Sequence, residues 1–198
     1  VRNIVGCLGI SLIFTISISS LSSIHKFRGI VKVIKSDVMD YRYHDSPLGS
    51  ILLAGIGGDL HSLTLPTQRT NEWPLTDWHL TKTGFSDCIK QLDEYFEGNL
   101  KTFSLNLSPQ GTAFQRQVWD ALLQIPYGET RSYQDIARTI KNPKAVRAVG
   151  GSNARNPIAI VIPCHRVIGA SGKLTGYAGG LQYKRALLDL EQNQQHIL

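Results

Sequence analysis

The residues best suited to chemistry stand in one short run, Ile160-Val161-Ile162-Pro163-Cys164-His165-Arg166-Val167-Ile168. A cysteine attacks carbon as its thiolate, and an unperturbed thiol near pKa ~8.5 is only a few per cent ionised at neutral pH. An attacking cysteine therefore needs a neighbour that favours the charged form, and His165 follows Cys164 directly. Pro163 lacks an N–H and disfavours helix at the residue before it, which predicts an extended Ile162 and a turn at Pro163. The competing reading is a small buried hydrophobe, since free cysteine is among the most buried residue types. The run by itself weighs the two equally.

Its surroundings break the tie. Arg147-Ala148-Val149-Gly150-Gly151 and Asn156-Pro157 precede the cysteine, and Gly176-Tyr177-Ala178-Gly179-Gly180 follows it. Ser132-Tyr133-Gln134-Asp135-Ile136-Ala137 stands further upstream. With these motifs the chain resembles the methylated-DNA–protein-cysteine methyltransferases, which remove alkyl groups from the 6-oxygen of guanine in DNA. The resemblance runs from about Asp40 to Glu191, and Pro-Cys-His-Arg-Val is its most specific part.

The resemblance implies an α+β architecture. A small N-terminal α/β domain with a β-sheet, similar to ribonuclease H, would occupy 39–108. A mostly helical, winged-helix-like domain with a helix-turn-helix and the reactive cysteine would occupy 109–198. It also implies irreversible transfer of a methyl or alkyl group from the guanine 6-oxygen, and from the 4-oxygen of thymine, to Cys164. One transfer per molecule is expected, with no cofactor. The implied partner is double-stranded DNA carrying alkylated guanine, met by a cytoplasmic monomer with no membrane attachment.

A base in the stack keeps its alkyl carbon out of reach, so it must first leave the duplex. The resemblance gives Arg147 the task of filling the gap, which a planar cation that stacks on bases does better than lysine; an ordinary phosphate contact is the alternative. Tyr133 matches the tyrosine that donates a hydrogen bond to a ring nitrogen of the departing guanine, a core aromatic being its plainer reading. His165 and Glu191 match the pair that relays a proton from the thiol. Adjacent side chains of an extended segment diverge, so a bridging water is expected between Cys164 and His165. For Glu191 the plainer reading is a solvated carboxylate at a helix end. Asn156 is expected to tie the reactive turn to the loop before it, and Asn-Pro is also a turn initiator. Tyr177, Ala178 and Val167 would line the substrate pocket. Some relatives have serine where Ala178 stands, which leaves a backbone donor there but no hydroxyl. Lys144, Ala145, Ala148, Gly150 and Arg155 complete the expected DNA contact.

Elements able to position these groups can be read along the chain. Leu48–Ala54 and Leu60–Leu65 flank a glycine-rich turn at Gly57–Asp59 and predict a hairpin. Phe85, Cys88, Ile89, Leu92, Tyr95 and Phe96 recur at helical spacing up to Gly98, which makes Cys88 a core residue. Phe114, Val118, Trp119, Leu122 and Leu123 form a second stripe. Ser132 is placed to cap a short helix through Arg138, and a turn at Lys141-Asn142-Pro143 leads into a basic, small-sided helix from Lys144 to Val149. Two short helices so joined are a helix-turn-helix signature. A last amphipathic run carries Leu181, Leu187, Leu188 and Leu190 up to Glu191.

Charge supports a polyanionic partner. The chain of 198 residues has a net charge of +6. Residues 39–110 hold five Lys/Arg against nine Asp/Glu, whereas 111–198 hold eleven against five. An acidic half followed by a basic half suggests that the second meets nucleic acid. Three widely spaced cysteines argue against a disulfide framework and fit a reducing compartment. No paired C-x-x-C or H-x-x-x-H spacing predicts a metal site. Residues 4–18 are almost wholly apolar or small, the right length for a signal-peptide core but short for a membrane span. The sole methionine, Met39, stands where the resemblance begins, which favours an over-extended gene start for 1–38 over a targeting segment. Two other classes compete: a non-catalytic helix-turn-helix binder of alkylated DNA, which would not need Cys164, and a cysteine hydrolase. The hydrolase needs a histidine that reaches the thiol from elsewhere in the chain.

Overall fold

A computed structural model describes residues 38–66 and 74–193. The segment read as lying outside the family, 1–38, is outside the described residues except for Val38.

Strands β1 (Asp40–Ser46), β2 (Gly49–Ile56) and β3 (Asp59–Thr64) form an antiparallel meander. The short β4 (His79–Leu80) adds in parallel to β1, giving the order β3-β2-β1-β4. The expected hairpin is β2–β3. Its two-residue turn needs positive φ at both central positions, and Gly57 and Gly58 supply 56° and 92°. Helix α1 (Ser86–Phe96) buries Cys88, Leu92 and Tyr95, as its stripe predicts.

The second half is helical. Thr112 and Gln115 form a capping box that starts α2 (Ala113–Leu123). The indole N–H of Trp119 on α2 donates to the Ser152 carbonyl at 2.9 Å, tying this helix to α4 (Val146–Ala154). A second capping box, Ser132 with Asp135, starts α3 (Tyr133–Thr139). Helices α3 and α4 are the expected helix-turn-helix pair, with one correction. Lys144 and Ala145 precede the second helix rather than belonging to it, because the turn after α3 holds Lys141 in the left-handed region at φ 56° and delays the next helix to Val146. Strands β5 (Arg131–Ser132) and β6 (Val167–Ile168) pair in parallel, and α5 (Leu181–Asn193) closes the described chain.

Backbone bonds join the halves. Leu63 of β3 donates to the Pro157 carbonyl at 2.9 Å and accepts from the Ala159 N–H at 3.0 Å. Residues from both halves, including Ile51, Leu63, Tyr95, Trp119, Ile158 and Ile162, form one buried core.

This sheet-edge bridge delivers the reactive run, but not as an extended segment. Beyond Ala159 the chain coils tightly. Ile160 has φ 69°, Val161 bonds back to the Ala159 carbonyl at 2.8 Å, and Ile162 to that of Ile158 at 3.0 Å. Cys164–Arg166 is a single 3-10 turn. Once the bridge to β3 ends, these buried N–H groups have no strand partner and satisfy themselves locally.

Because α3 is only two turns long and begins at Tyr133, its cap sets where that tyrosine stands. Ser132→Ala removes the hydroxyl that accepts from the Asp135 N–H at 3.1 Å. It should cost about 1 kcal/mol, read as a lower melting temperature with the overall fold retained.

Candidate active site

Two asparagines pin the reactive turn. The Asn156 side-chain amide donates to the Ile162 carbonyl at 2.8 Å, while its oxygen accepts from the Ile158 N–H at 3.0 Å. It thus spans the coiled run as a strut, the position expected for it. Asn153, which sequence reasoning missed, donates from α4 to the Cys164 carbonyl at 3.3 Å. Both asparagines are buried, so a lost partner here leaves an unpaired dipole in the interior.

Cys164 itself is only 4% exposed. Its Sγ lies 3.9 Å from the Tyr177 hydroxyl, the longest donor–acceptor contact at the site. Burial pushes the thiol above its ordinary value, and hydrogen bonds from Asn156 and Tyr177 with the Lys184 charge offset this only in part. The resting group is therefore a thiol. Of the two ways in which His165 could favour the thiolate, as a cation or through hydrogen bonding, its burial favours the second. His165 has no exposure at all, and burial pushes its imidazolium down against the pull of Glu191. The ring is neutral at neutral pH.

Its tautomer follows from its partner. His165 Nε2 lies 2.8 Å from Glu191 Oε1. Burial alone would raise the Glu191 carboxyl, but hydrogen bonds from His165 and Arg166, with the Arg166 charge, hold it at about 2. A neutral imidazole supplies only an N–H, so the permanent charge of Arg166 is what keeps the carboxylate ionised. An ionised carboxylate can only accept, so Nε2 carries the proton and Nδ1 keeps a lone pair. Nδ1 is buried and has no hydrogen-bond partner. A buried acceptor left open beside the sole cysteine of the turn is the feature that marks this as a site.

Glu191 is fully buried, so the solvated reading of it is overturned. Oε1 accepts from Tyr95 Oη at 2.7 Å, from His165, and from Arg166 Nη2 at 3.0 Å. Oε2 accepts from Arg166 Nε at 2.9 Å and from the Gly128 N–H at 3.2 Å. Arg166 also donates through Nη1 to the Ile125 carbonyl at 2.6 Å and lies over the Tyr127 ring, 5.8 Å from its centroid. Lys184, fully buried, donates to the Val167 carbonyl at 2.5 Å and the Thr175 carbonyl at 3.2 Å. Sequence reasoning missed Tyr95, Arg166 and Lys184 as site residues. A signal for Lys184 and Glu191 was present, because 184, 187, 188 and 191 lie on one helical stripe. Leu181, counted with the stripe instead, is 46% exposed.

The remaining expected residues divide into two groups. Val167 is fully buried and its carbonyl faces Lys184; Tyr177 is half-buried beside Cys164, and Ala178 is exposed. On the helix-turn-helix, Lys144, Arg147, Ala148 and Arg155 are exposed while Ala145 and Gly150 are half-buried. Arg155 bonds back to the Gly151 carbonyl at 3.2 Å. The half-buried Tyr133 ring passes beside Gly150, where a Cβ would lie 3.9 Å from it. Among the described residues, no group of three or more His, Cys, Asp or Glu could hold a metal ion. No described helix is long and apolar enough to cross a membrane.

Comparison with known proteins places this arrangement in a family. Residues 39–109 match the ribonuclease-like domain of 6-O-methylguanine DNA methyltransferase, and residues 113–193 match its DNA-binding domain. The chain belongs to the 6-O-methylguanine DNA methyltransferase family. It is 55% identical over 156 residues to the methylated-DNA–protein-cysteine methyltransferase of Methanosarcina mazei, a match covering 78% of this chain and 98% of the relative. The crystal structure of the Mycobacterium tuberculosis O6-methylguanine methyltransferase is 53% identical, covers 79% of this chain and 94% of its own, and superposes with a TM-score of 0.74. The same enzyme in complex with DNA gives the same identity and TM-score.

The buried carboxylate should be visible in acid stability. A carboxyl held near 2 when folded but titrating at its ordinary value when unfolded contributes stability above the ordinary carboxylate range. That stability is lost as pH falls toward 2. His165, whose folded value is depressed, adds loss in the same direction from about pH 6.5 downward. Glu191→Gln should lower stability by about 3–5 kcal/mol at pH 7, since Arg166 is left buried and uncompensated. The gap to the parent chain should narrow at pH 4, as melting curves at the two pH values would record.

Proposed function

We propose that the chain repairs DNA by moving a methyl or other alkyl group from the 6-oxygen of guanine to Cys164, once per molecule. The observation that carries this reading is the open Nδ1 of His165, whose Nε2 is committed to an ionised, buried carboxylate. The site holds a base for the Cys164 proton and a sink for the charge that the base then acquires.

DNA meets the basic helix-turn-helix, in keeping with the relative whose structure contains DNA. Lys144 and Arg155 offer phosphate contacts, and the small Ala145, Ala148 and Gly150 let the backbone approach closely. Arg147 takes the space of the extruded nucleotide. The base enters beside Tyr177, Ala178 and Val167. Nδ1 of His165 accepts the thiol proton through a bridging water, and the resulting imidazolium is paired with Glu191. The thiolate lone pair forms the S–C bond as the C–O6 bond breaks, leaving that electron pair on guanine. Tyr133 donates a hydrogen bond to a ring nitrogen of the leaving base and stabilises its negative charge. The product is a thioether on Cys164. The protein has no second nucleophile in the turn to remove it, so each molecule acts once. We place this activity in the cytoplasm, with the protein acting as a monomer.

Incubation with a duplex carrying one methylated guanine should add one methyl group per molecule, mapped by mass spectrometry to Cys164. Label on Cys88, or continued turnover past one equivalent, would contradict the proposal. Cys164→Ala should bind the duplex and transfer nothing, which separates it from a binder that works without the thiol.

Extrusion and chemistry separate in a second experiment. Arg147→Ala should slow repair of duplex about 100-fold while changing attack on a free alkylated base less than about threefold, because only duplex requires flipping. Equal losses on the two substrates would remove Arg147 from that role.

A further inference from the structure

The reactive turn lies in the C-terminal half, yet a side chain of the N-terminal half reaches the proton relay. Tyr95 lies on α1, has no solvent exposure, and points its hydroxyl 2.7 Å from Glu191 Oε1. It shares that oxygen with His165 Nε2. Its ring is fixed by edge and tilted contacts with Phe96, Phe103 and Tyr127, at centroid distances of 5.5, 5.3 and 6.0 Å. A phenol so held has little rotational freedom, and facing a carboxylate it can only donate. We propose that Tyr95 is a positioning residue for alkyl transfer: it fixes Glu191 Oε1 so that His165 must donate through Nε2 and keep Nδ1 open toward the thiol.

Geometry supports this over a packing role alone. Arg166 grips both oxygens of Glu191 and is enough to neutralise the charge. Arg166 Nη2 alone would leave Oε1 open to His165 over a wide range of directions. Tyr95 crowds the same oxygen from another side, so the imidazole is held to the one approach left between the two donors. The groups facing Glu191 are then Tyr95 from α1, Tyr127 and Gly128 from the segment after α2, and His165 and Arg166 from the reactive turn. The Lys184 charge is felt both at His165 and at Cys164. The inference rests on the proposed alkyl transfer, and it gives the ribonuclease-like half a part in the chemistry.

The pH profile of single-turnover transfer tests it in the full-length chain. With the relay aligned, the thiol proton passes to His165 and the rate should vary less than about threefold from pH 7 to 9. Tyr95→Phe keeps the ring and loses only the hydroxyl. Its rate should fall about 10-fold at pH 7 and recover toward the parent at pH 9, where solvent hydroxide ionises the thiol without the relay. Its affinity for duplex should be unchanged. Cys88→Ala, a buried position two turns earlier on α1, is the packing control, expected to lower the melting temperature and leave the profile flat. A parent-like profile for Tyr95→Phe would overturn the inference, as would a sloping profile for Cys88→Ala. A Tyr95→Phe chain that does not fold at the assay temperature would make the hydroxyl a folding requirement and overturn it too. His165→Ala separates the two levels. If it also keeps a flat profile with full rate, the relay is wrong; if it slopes while Tyr95→Phe does not, only the role of Tyr95 fails.

Discussion

One buried carboxylate organises the centre of this protein. Glu191 has no contact with solvent and takes five hydrogen bonds from four residues. Removing such a charge from water costs several kcal/mol, and a single partner seldom repays it. Here the repayment is spread over α1, the loop after α2, and the reactive turn, so each of those elements must be in place for the carboxylate to be tolerated. The constraint also runs in reverse. Once Glu191 is fixed, His165 and Arg166 of the 3-10 turn have defined directions, and Cys164 at its start has little freedom.

That arrangement answers a conflict set by burial. A thiol hidden from water is harder to ionise, and Cys164 is pushed upward accordingly. An exposed, permanently ionised cysteine would be simpler to build, but it would react with soluble electrophiles and oxidants before it met a lesion. The buried thiol stays protonated until a base is seated and the proton has a route out. Cys88 shows the comparison case: it is equally hidden and is pushed up to about 12 by burial alone. Cys164 differs in its company: Asn156, Tyr177 and the Lys184 charge offset part of its burial.

Much of this was legible in the residues, for identifiable reasons. The hairpin, α1 and the helix-turn-helix have strong local signals in paired glycines, a regular apolar stripe and a Ser-x-x-Asp cap. Cys164, His165 and Asn156 stand in one short stretch, and their turn brings them together. What sequence reading could not supply was long-range. The Tyr95 hydroxyl meets a carboxylate ninety-six positions away, and no periodicity along α1 reports that. The apolar run before Pro163 reads as extended because most of its residues are β-branched, yet among the described residues its strand pairing is a short bridge from Ile158 to Leu63. Charge states are hidden for the same reason. A histidine beside a cysteine could be a cation or a neutral hydrogen-bonding group, and the closed burial around it favours the neutral form.

The most direct test of the account is the protonation of the His165 ring in the resting protein. Nitrogen NMR of the chain with labelled histidine, assigned by loss of the signal in His165→Ala, reads each ring nitrogen separately. Near neutral pH the account predicts a neutral ring with the proton on Nε2 and a bare Nδ1, gaining its second proton only at lower pH than an ordinary histidine, since burial depresses its titration. A proton on Nδ1, or an imidazolium at pH 7, would contradict it.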